Sequence, residues 1–84
     1  MSFTNFGSLV ALAPGGTYTW WYSWGTNMGT QFASADVNTA NGSPHVAYDQ
    51  TKRIDPDGTV KYTVTIKNIG NQWTWHNLQG GGVS

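Results

Sequence analysis

The sequence predicts an all-β protein, an antiparallel β-sandwich of six to seven short strands. Residues 17–24 and residues 59–67 alternate between two kinds of side chain, which is the period of an extended strand. Turn-forming residues, above all Gly, Pro, Asn and Asp, separate the strand-like segments. No segment shows the i, i+3, i+4 spacing of apolar residues that is typical of an amphipathic helix.

The predicted core depends on the aromatic segment at residues 17–24. Tyr18, Trp20, Tyr22 and Trp24 occupy alternate positions, so they share one face of a strand. Trp21 lies on the other face, among Thr and Ser residues. Aromatic and β-branched side chains suit a half-buried pleated surface. We expect the four-aromatic face to form the wall of the core rather than to meet a ligand, which is the alternative, and we expect Trp21 to be exposed.

The segments around this strand are short. Residues 3–12 contain a brief apolar run that fits a strand, and the Pro-Gly-Gly turn at 14–16 predicts a hairpin into the aromatic segment. Residues 30–37 alternate weakly and form the third predicted strand. Residues 45–54 form the fourth, in which polar and apolar side chains share one phase, so we expect either a sheet edge or a face partly open to water.

The clearest turn in the chain is the Asp-Pro-Asp-Gly sequence at residues 55–58. Pro suits the second position of a type I turn and Gly supplies a positive φ, so this sequence predicts a hairpin. The strand that follows, over residues 59–67, has regular alternation. Its inward-facing residues are expected to be Val60, Tyr62, Val64 and Ile66.

The last predicted strand covers residues 72–78, with Trp73 and Trp75 on one face and His76 on the other. Three consecutive glycines follow at 80–82, and glycine loses much backbone entropy on ordering. We therefore expect a single domain over residues 1–79 and a Gly-rich tail over residues 80–84.

Composition excludes several function classes. The 84 residues include no Cys, so neither disulfides nor a cysteine zinc site can stabilise the domain. Net charge is zero and only 10% of residues are charged, which argues against nucleic-acid binding. No apolar run is long enough to span a membrane, and residues 1–5 do not resemble the start of a signal peptide.

The charged residues are unevenly placed. Residues 1–35 and 68–84 contain no Asp, Glu, Lys or Arg. Because a protein surface normally carries mixed charge, these neutral segments indicate contact with another subunit or with a neutral ligand. We expect a homo-oligomer, with chain pairing at the edge strand near Gln50 and Lys52.

The sequence gives little support for catalysis or for metal binding. There is no Glu, and although Ser23, His76 and Asp36 could in principle form a triad, no spacing favours one. Asp55 and Asp57 lack the later acidic ligands of a calcium loop. We expect no enzyme activity, no catalytic residues, no cofactor and no metal.

Two stretches resemble pieces of bacterial immunoglobulin-like modules of the cell-adhesion-related (CARDB-like) type. Residues 57–71, DGTVKYTVTIKNIGN, resemble the Y-x-V-T-x-x-N-x-G strand of those modules, and residues 12–20, LAPGGTYTW, are similar to their L-x-P-G-x-x-Y-T turn and strand. The two motifs occur here in reversed order, which would fit a permuted or strand-exchanged sandwich. The resemblance implies an immunoglobulin-like, non-catalytic fold and favours an extracellular or cell-surface location.

The exposed aromatics indicate the function. Trp rings stack on sugar faces, while Asn and His side chains hydrogen-bond hydroxyl groups. We therefore expect a lectin-like binding module for a neutral carbohydrate, with the site residues Trp21, Trp73, Trp75, His76 and Asn77. The alternative is a structural or assembly module in which the aromatics serve core packing and subunit contacts.

Overall fold

The computed structural model describes residues 2–23 and 25–82, with the backbone alone at residues 2, 3, 7 and 8. Within these residues there are six strands and no helix: β1 Ser2–Leu12, β2 Thr17–Tyr22, β3 Gln31–Asp36, β4 His45–Ile54, β5 Val60–Asn68 and β6 Thr74–Gly82. All pairings between them are antiparallel. The prediction of an all-β antiparallel sandwich is confirmed, and its immunoglobulin-like character stays a prediction.

The six strands form two three-stranded sheets, ordered β1-β6-β3 and β2-β5-β4. The centre of one sheet is β6 and the centre of the other is β5, so the remaining four strands are edges. The predicted edge position of β4 is confirmed. The hairpin predicted at residues 55–58 joins β4 to β5, with the amide of Gly58 donating to the carbonyl of Asp55 at 2.9 Å and Gly58 at φ 90°.

The Pro-Gly-Gly turn at 14–16 does not form the predicted hairpin, because β1 and β2 belong to different sheets. The turn carries the chain from one sheet to the other. Its backbone bonds to the end of β5: the amide of Gly15 donates to the carbonyl of Asn68 at 2.9 Å, and the amide of Asn68 donates to the carbonyl of Gly16 at 3.0 Å. The turn sequence determines that the chain reverses direction, but it does not determine with which strand β2 pairs.

The core lies between the inner faces of the two sheets. The predicted inward residues of β5 supply its centre: Val60, Tyr62, Val64 and Ile66 are 5, 1, 1 and 0% exposed. Tyr22 is buried as predicted, and its ring stacks 5.3 Å from that of Tyr62. Tyr18 and Trp20 are partly buried against the core, and Trp24 lies outside the described residues.

The predicted Gly-rich tail does not begin at residue 80. Instead, Gly80–Gly82 continue strand β6 and pair with both β1 and β3. All three are buried. A Cβ on Gly80 would lie 2.5 Å from the Phe6 ring, so the missing side chain makes room for that ring in the core. Hydrogen bonds to the strands on both sides offset the backbone entropy that these glycines lose on ordering, which was the reason to expect a tail.

A bulge in β4 exchanges its inward and outward positions. The pairing with β5 shifts between Tyr48 and Thr51, and Asp49 takes a positive φ of 53°. Before the bulge, Ala47 packs on the core while Val46 and Tyr48 are each 37% exposed. Because the bulge shifts the register by one residue, alternate residues of β4 face outward before it and inward after it, so that apolar and polar residues share one phase in the sequence.

Candidate functional site

The outer face of the sheet β1-β6-β3, called here the Trp75 face, carries two of the exposed tryptophans. Trp73 is 71% exposed and Trp75 is 56% exposed. Alternate residues of β6 point away from the core, and Trp75, Asn77 and Gln79 lie in this phase. The prediction that Trp73 and Trp75 share a face opposite His76 agrees with this burial pattern.

Neighbouring strands add apolar side chains to the Trp75 face. Ala11 pairs with Trp75, and Leu9 pairs with Asn77 across the β1–β6 ladder. Leu9 is 63% exposed, and Phe32 on β3 is 41% exposed. The result is a largely apolar surface on a sheet whose centre strand pairs with a neighbour on both sides.

Three shallow depressions run in a row across this face. The first, of 310 Å³, is lined by Ala11, Trp73, Thr74 and Trp75. Trp75 also borders the second, of 110 Å³, which continues through Leu9 and Asn77 to Asp36, Asn38 and Thr39. Asp36 in turn borders the third, of 220 Å³, beside Phe32 and Gln79. Shared lining residues make the row continuous.

Asp36 is the single charged residue in the strands of this sheet. Its carboxylate accepts a hydrogen bond from the side-chain amide of Asn38 at 3.0 Å and a long one from that of Gln79 at 3.5 Å. The two amides keep their carbonyl oxygens as acceptors for an external donor. The polar groups of the face therefore gather on its β3 side, next to Asn77, which pairs with Asp36.

His76 is not on the Trp75 face. It is 1% exposed and points into the core, where its Nδ1 lies 2.9 Å from the Nδ1 of His45. The two rings cross at 88° and link β6 of one sheet to β4 of the other. The structure corrects the prediction that His76 contacts a ligand on the surface. The alternation of the strand that exposes Trp75 buries the next residue, His76.

Burial governs the protonation of the histidine pair. Loss of hydration, with the nearby His45 as the smaller cause, lowers the pKa of His76 to about 4. Burial also lowers the pKa of His45. One neutral ring donates its Nδ1–H to the other, and the Nε2 atoms of both rings are buried without a hydrogen-bond partner in the described structure.

Trp21 lies on the opposite side of the sandwich, on the outer face of the sheet β2-β5-β4. It is 57% exposed, as predicted, and pairs with Thr63 of β5. The five residues predicted to form one site are thus divided among three places. Trp73, Trp75 and Asn77 share a face, His76 is in the core, and Trp21 is on the other face.

The residues of the triad considered from sequence have other partners. Ser23 Oγ accepts a hydrogen bond from the amide of Gly25 at 3.3 Å, while His76 pairs with His45. In residues 2–23 and 25–82, no group of three His, Cys, Asp or Glu side chains could hold a metal ion. The chemistry that this surface offers is contact with aromatic rings and amide hydrogen bonds.

Sequence reasoning missed the members of the Trp75 face that lie outside β6, among them Leu9, Ala11, Phe32, Asp36 and Asn38. Alternation alone places Phe32, Ser34 and Asp36 in one phase, which is the signal that could have found two of them. It does not say that β1 and β3 flank β6. That neighbourhood comes from pairings between residues far apart in sequence.

Comparison of the chain with protein-family models, with curated proteins and with solved structures finds no significant match. The described part of the chain contains no helix with the length and apolar character needed to cross a bilayer. Fold and surface together define an antiparallel β-sandwich whose two outer faces both expose tryptophan.

Proposed function

We propose that the protein is a non-catalytic binding module that holds a neutral carbohydrate on the Trp75 face. The observation that carries the proposal is the exposed pair of Trp75, 56% exposed on the central strand β6, and Trp73, 71% exposed just before that strand begins. Exposed indole rings present flat apolar surfaces that match the C–H face of a sugar ring. A rigid platform loses little entropy when it binds.

The polar rim supports a sugar as the ligand. Asn77 is half-buried next to Trp75, and the amides of Asn38 and Gln79 are oriented by Asp36. Amide groups donate and accept, so they can bond the hydroxyl groups of a sugar in either sense. These groups lie along a row of shallow depressions, which suits an elongated oligosaccharide more than a compact ligand.

Charge supports a neutral ligand. The strands of this sheet contain no Lys or Arg, and Asp36 is their one acidic residue. A phosphate or carboxylate would therefore approach a carboxylate without a compensating cation. A neutral glycan meets no such penalty.

The second candidate function is assembly of copies of the chain through the same face. Four of the large apolar residues that are exposed in the described structure lie here: Leu9, Phe32, Trp73 and Trp75. Aromatic residues are enriched at subunit interfaces, and a neutral apolar face is typical of a homo-oligomer contact. This alternative predicts self-association that a substitution of Trp75 disrupts.

The test is titration of the protein with a panel of neutral oligosaccharides, followed by calorimetry and by two-dimensional NMR. We expect Trp75→Ala to weaken binding by about 10-fold or more, since it removes a stacked aromatic ring. Trp21→Ala is the matched control and should leave the affinity unchanged. The amide signals that shift should be those of β6 and its neighbours.

Sedimentation of the wild-type protein over a wide concentration range separates the two functions. A monomer that binds a glycan supports the carbohydrate proposal. An oligomer that Trp75→Asp converts to a monomer, with no response to any glycan, overturns it and supports assembly.

A further inference from the structure

The outer face of the sheet β2-β5-β4, called here the Trp21 face, differs from the Trp75 face in charge. All four Lys and Arg residues of the chain lie in the strands of this sheet. Lys52 does not join the outer row: it pairs with Tyr62, and its ammonium group donates to Oδ1 of Asn27 at 2.7 Å. Arg53 and Lys61 pair directly across the β4–β5 ladder on the outer side, near Trp21.

The pairing of Arg53 with Lys61 places two cations opposite each other, an arrangement that destabilises a sheet. One carboxylate lies between them: Asp55 is 2.7 Å from Nε of Arg53 and 3.4 Å from Nζ of Lys61. This contact uses one of the five donors of the guanidinium group. Asp55 is thus the carboxylate that pairs with both cations. A second carboxylate, Asp57, lies on the turn, where hydrogen bonds from Thr59 and, to a smaller extent, the charge of Lys61 lower its pKa.

The cations border an aromatic depression. Nζ of Lys61 lies 5.3 Å from the centre of the Trp21 ring system. Trp21, Arg53 and Lys61 line a cavity of 270 Å³ together with the hydroxyl-bearing residues Thr19, Thr51 and Thr63. The pairings Trp21–Thr63 and Thr63–Thr51 make these three side chains a straight row across the sheet, next to the row of cations.

We propose that the Trp21 face is a binding site for an acidic saccharide, meaning a sugar ring that carries a carboxylate or a sulfate group. The ring lies against Trp21, its hydroxyl groups bond the threonines, and its anionic group is held by Arg53 and Lys61. The chemistry of the site favours this ligand: two cations share one ion-paired carboxylate beside an aromatic surface and neutral hydrogen-bonding groups. Guanidinium groups bind carboxylate and sulfate oxygens through paired N–H donors.

This site is independent of the neutral-glycan proposal. It uses the other sheet and shares no residue with the Trp75 face. One site can therefore fail while the other is retained, and the two are distinguished by the Trp residue on which each depends.

The experiment titrates the full chain with a short oligomer of galacturonic acid, with a sulfated glucose oligomer and with a neutral glucose oligomer. Binding is followed by NMR at low salt and repeated at several salt concentrations. We expect both anionic oligomers to shift amide signals of β2, β4 and β5. Their affinity should fall as salt rises, because the interaction with Arg53 and Lys61 is partly exposed and screened.

Four variants separate this site from ordinary surface packing. Trp21→Ala and Lys61→Gln should each weaken the anionic oligomers by about 10-fold, the value of a lost charged contact. Trp75→Ala is the control and should leave them unchanged. Asp55→Asn should strengthen binding, since it removes the carboxylate that competes with the ligand, whereas a merely structural ion-pair cluster predicts no gain.

Circular dichroism of each variant checks that the sandwich is intact. The proposal is overturned if neither anionic oligomer shifts signals of this sheet at millimolar concentration, or if binding survives in Arg53→Gln/Lys61→Gln. Binding of the galacturonic acid oligomer alone assigns the site to a carboxylate, and binding of the sulfated oligomer alone assigns it to a sulfate.

Discussion

The two outer faces of the sandwich use the same aromatic residue in different surroundings. On the Trp75 face, tryptophans are surrounded by apolar side chains and amides, with Asp36 as the charged residue of the sheet. On the Trp21 face, the indole lies beside Lys61 and Arg53. The difference teaches that the strands beside an exposed tryptophan decide the charge and polarity of its surroundings, and therefore which ligand chemistry each face would suit.

The inner faces differ as well. The central strand β5 contributes bulky residues, among them Tyr62 and Ile66, whereas the central strand β6 ends in the buried residues Gly80–Gly82. The rings that fill the space over these glycines come from other strands. Phe6 of β1 lies 4.8 Å from both Trp20 and Tyr22, measured between ring centroids.

The largest expected effect on stability comes from adding a side chain to β6, the central strand that carries the buried glycines. Gly80→Val places a side chain where Phe6 now lies, and the carbonyl of Phe32 is also within 3.1 Å of the added Cβ. We expect a loss of about 1–3 kcal/mol in the free energy of unfolding, as for other overpacked cores. Chemical denaturation measures it.

Gln79→Val is the matched control for Gly80→Val. Gln79 is the preceding residue of the same strand, but it is exposed on the outer face. Its replacement should change stability far less. Equal stability of the two variants would contradict the tight packing of Gly80 against Phe6.

The next largest expected effect is a dependence of the stability of the whole sandwich on pH. His45 and His76 join the two sheets, and the pKa of each is lowered in the folded protein, that of His76 to about 4. An unfolded chain takes up these protons near pH 6.5, whereas the folded chain resists them. Stability should therefore be full above pH 6.5 and fall as the pH drops towards 4.

Thermal unfolding between pH 7.5 and pH 4.5 measures this dependence, with His45→Gln/His76→Leu as the control that removes both imidazoles. The control should be nearly flat over this range. If binding is established at both faces, both should weaken together on acidification. A wild-type melting temperature that does not change between pH 6.5 and 4.5 would contradict the buried neutral pair.

The smallest effects on stability should come from replacing the exposed tryptophans. Trp73 is 71% exposed and Trp21 is 57% exposed. We expect Trp73→Ala to change the free energy of unfolding by no more than about 0.5 kcal/mol, as is usual for exposed positions. Trp21→Ala should cost slightly more, because its ring also contacts Lys61. A large loss in either variant would make that tryptophan a packing residue.

Features that depend on neighbouring residues in the sequence were predicted well. Alternation placed Val60, Tyr62, Val64 and Ile66 in the core, and the turn at residues 55–58 gave the β4–β5 hairpin. The exposure of Trp21 followed from the same alternation. A strand period and a tight turn are local properties, so the sequence carries them directly.

Features that depend on distant residues were not predicted. The turn at 14–16 changes sheet because its backbone bonds Asn68 rather than β1. The expected chain pairing near Gln50 and Lys52 stays a prediction, but Gln50 is used within the chain: its Oε1 accepts the amide of Ala33 at 2.7 Å, across the two sheets. Nothing near Gln50 in sequence indicates that contact.

The sequence by itself determined the strand content, the inner and outer faces of β5 and β6, and the exposure of Trp21. Tertiary structure alone decided that Trp21 and Trp75 belong to separate faces, that His76 meets His45, and that Gly80–Gly82 complete a central strand. The reason is physical. Side-chain alternation is set by the geometry of each strand, whereas the neighbours of a strand are chosen by pairing and packing across the whole chain.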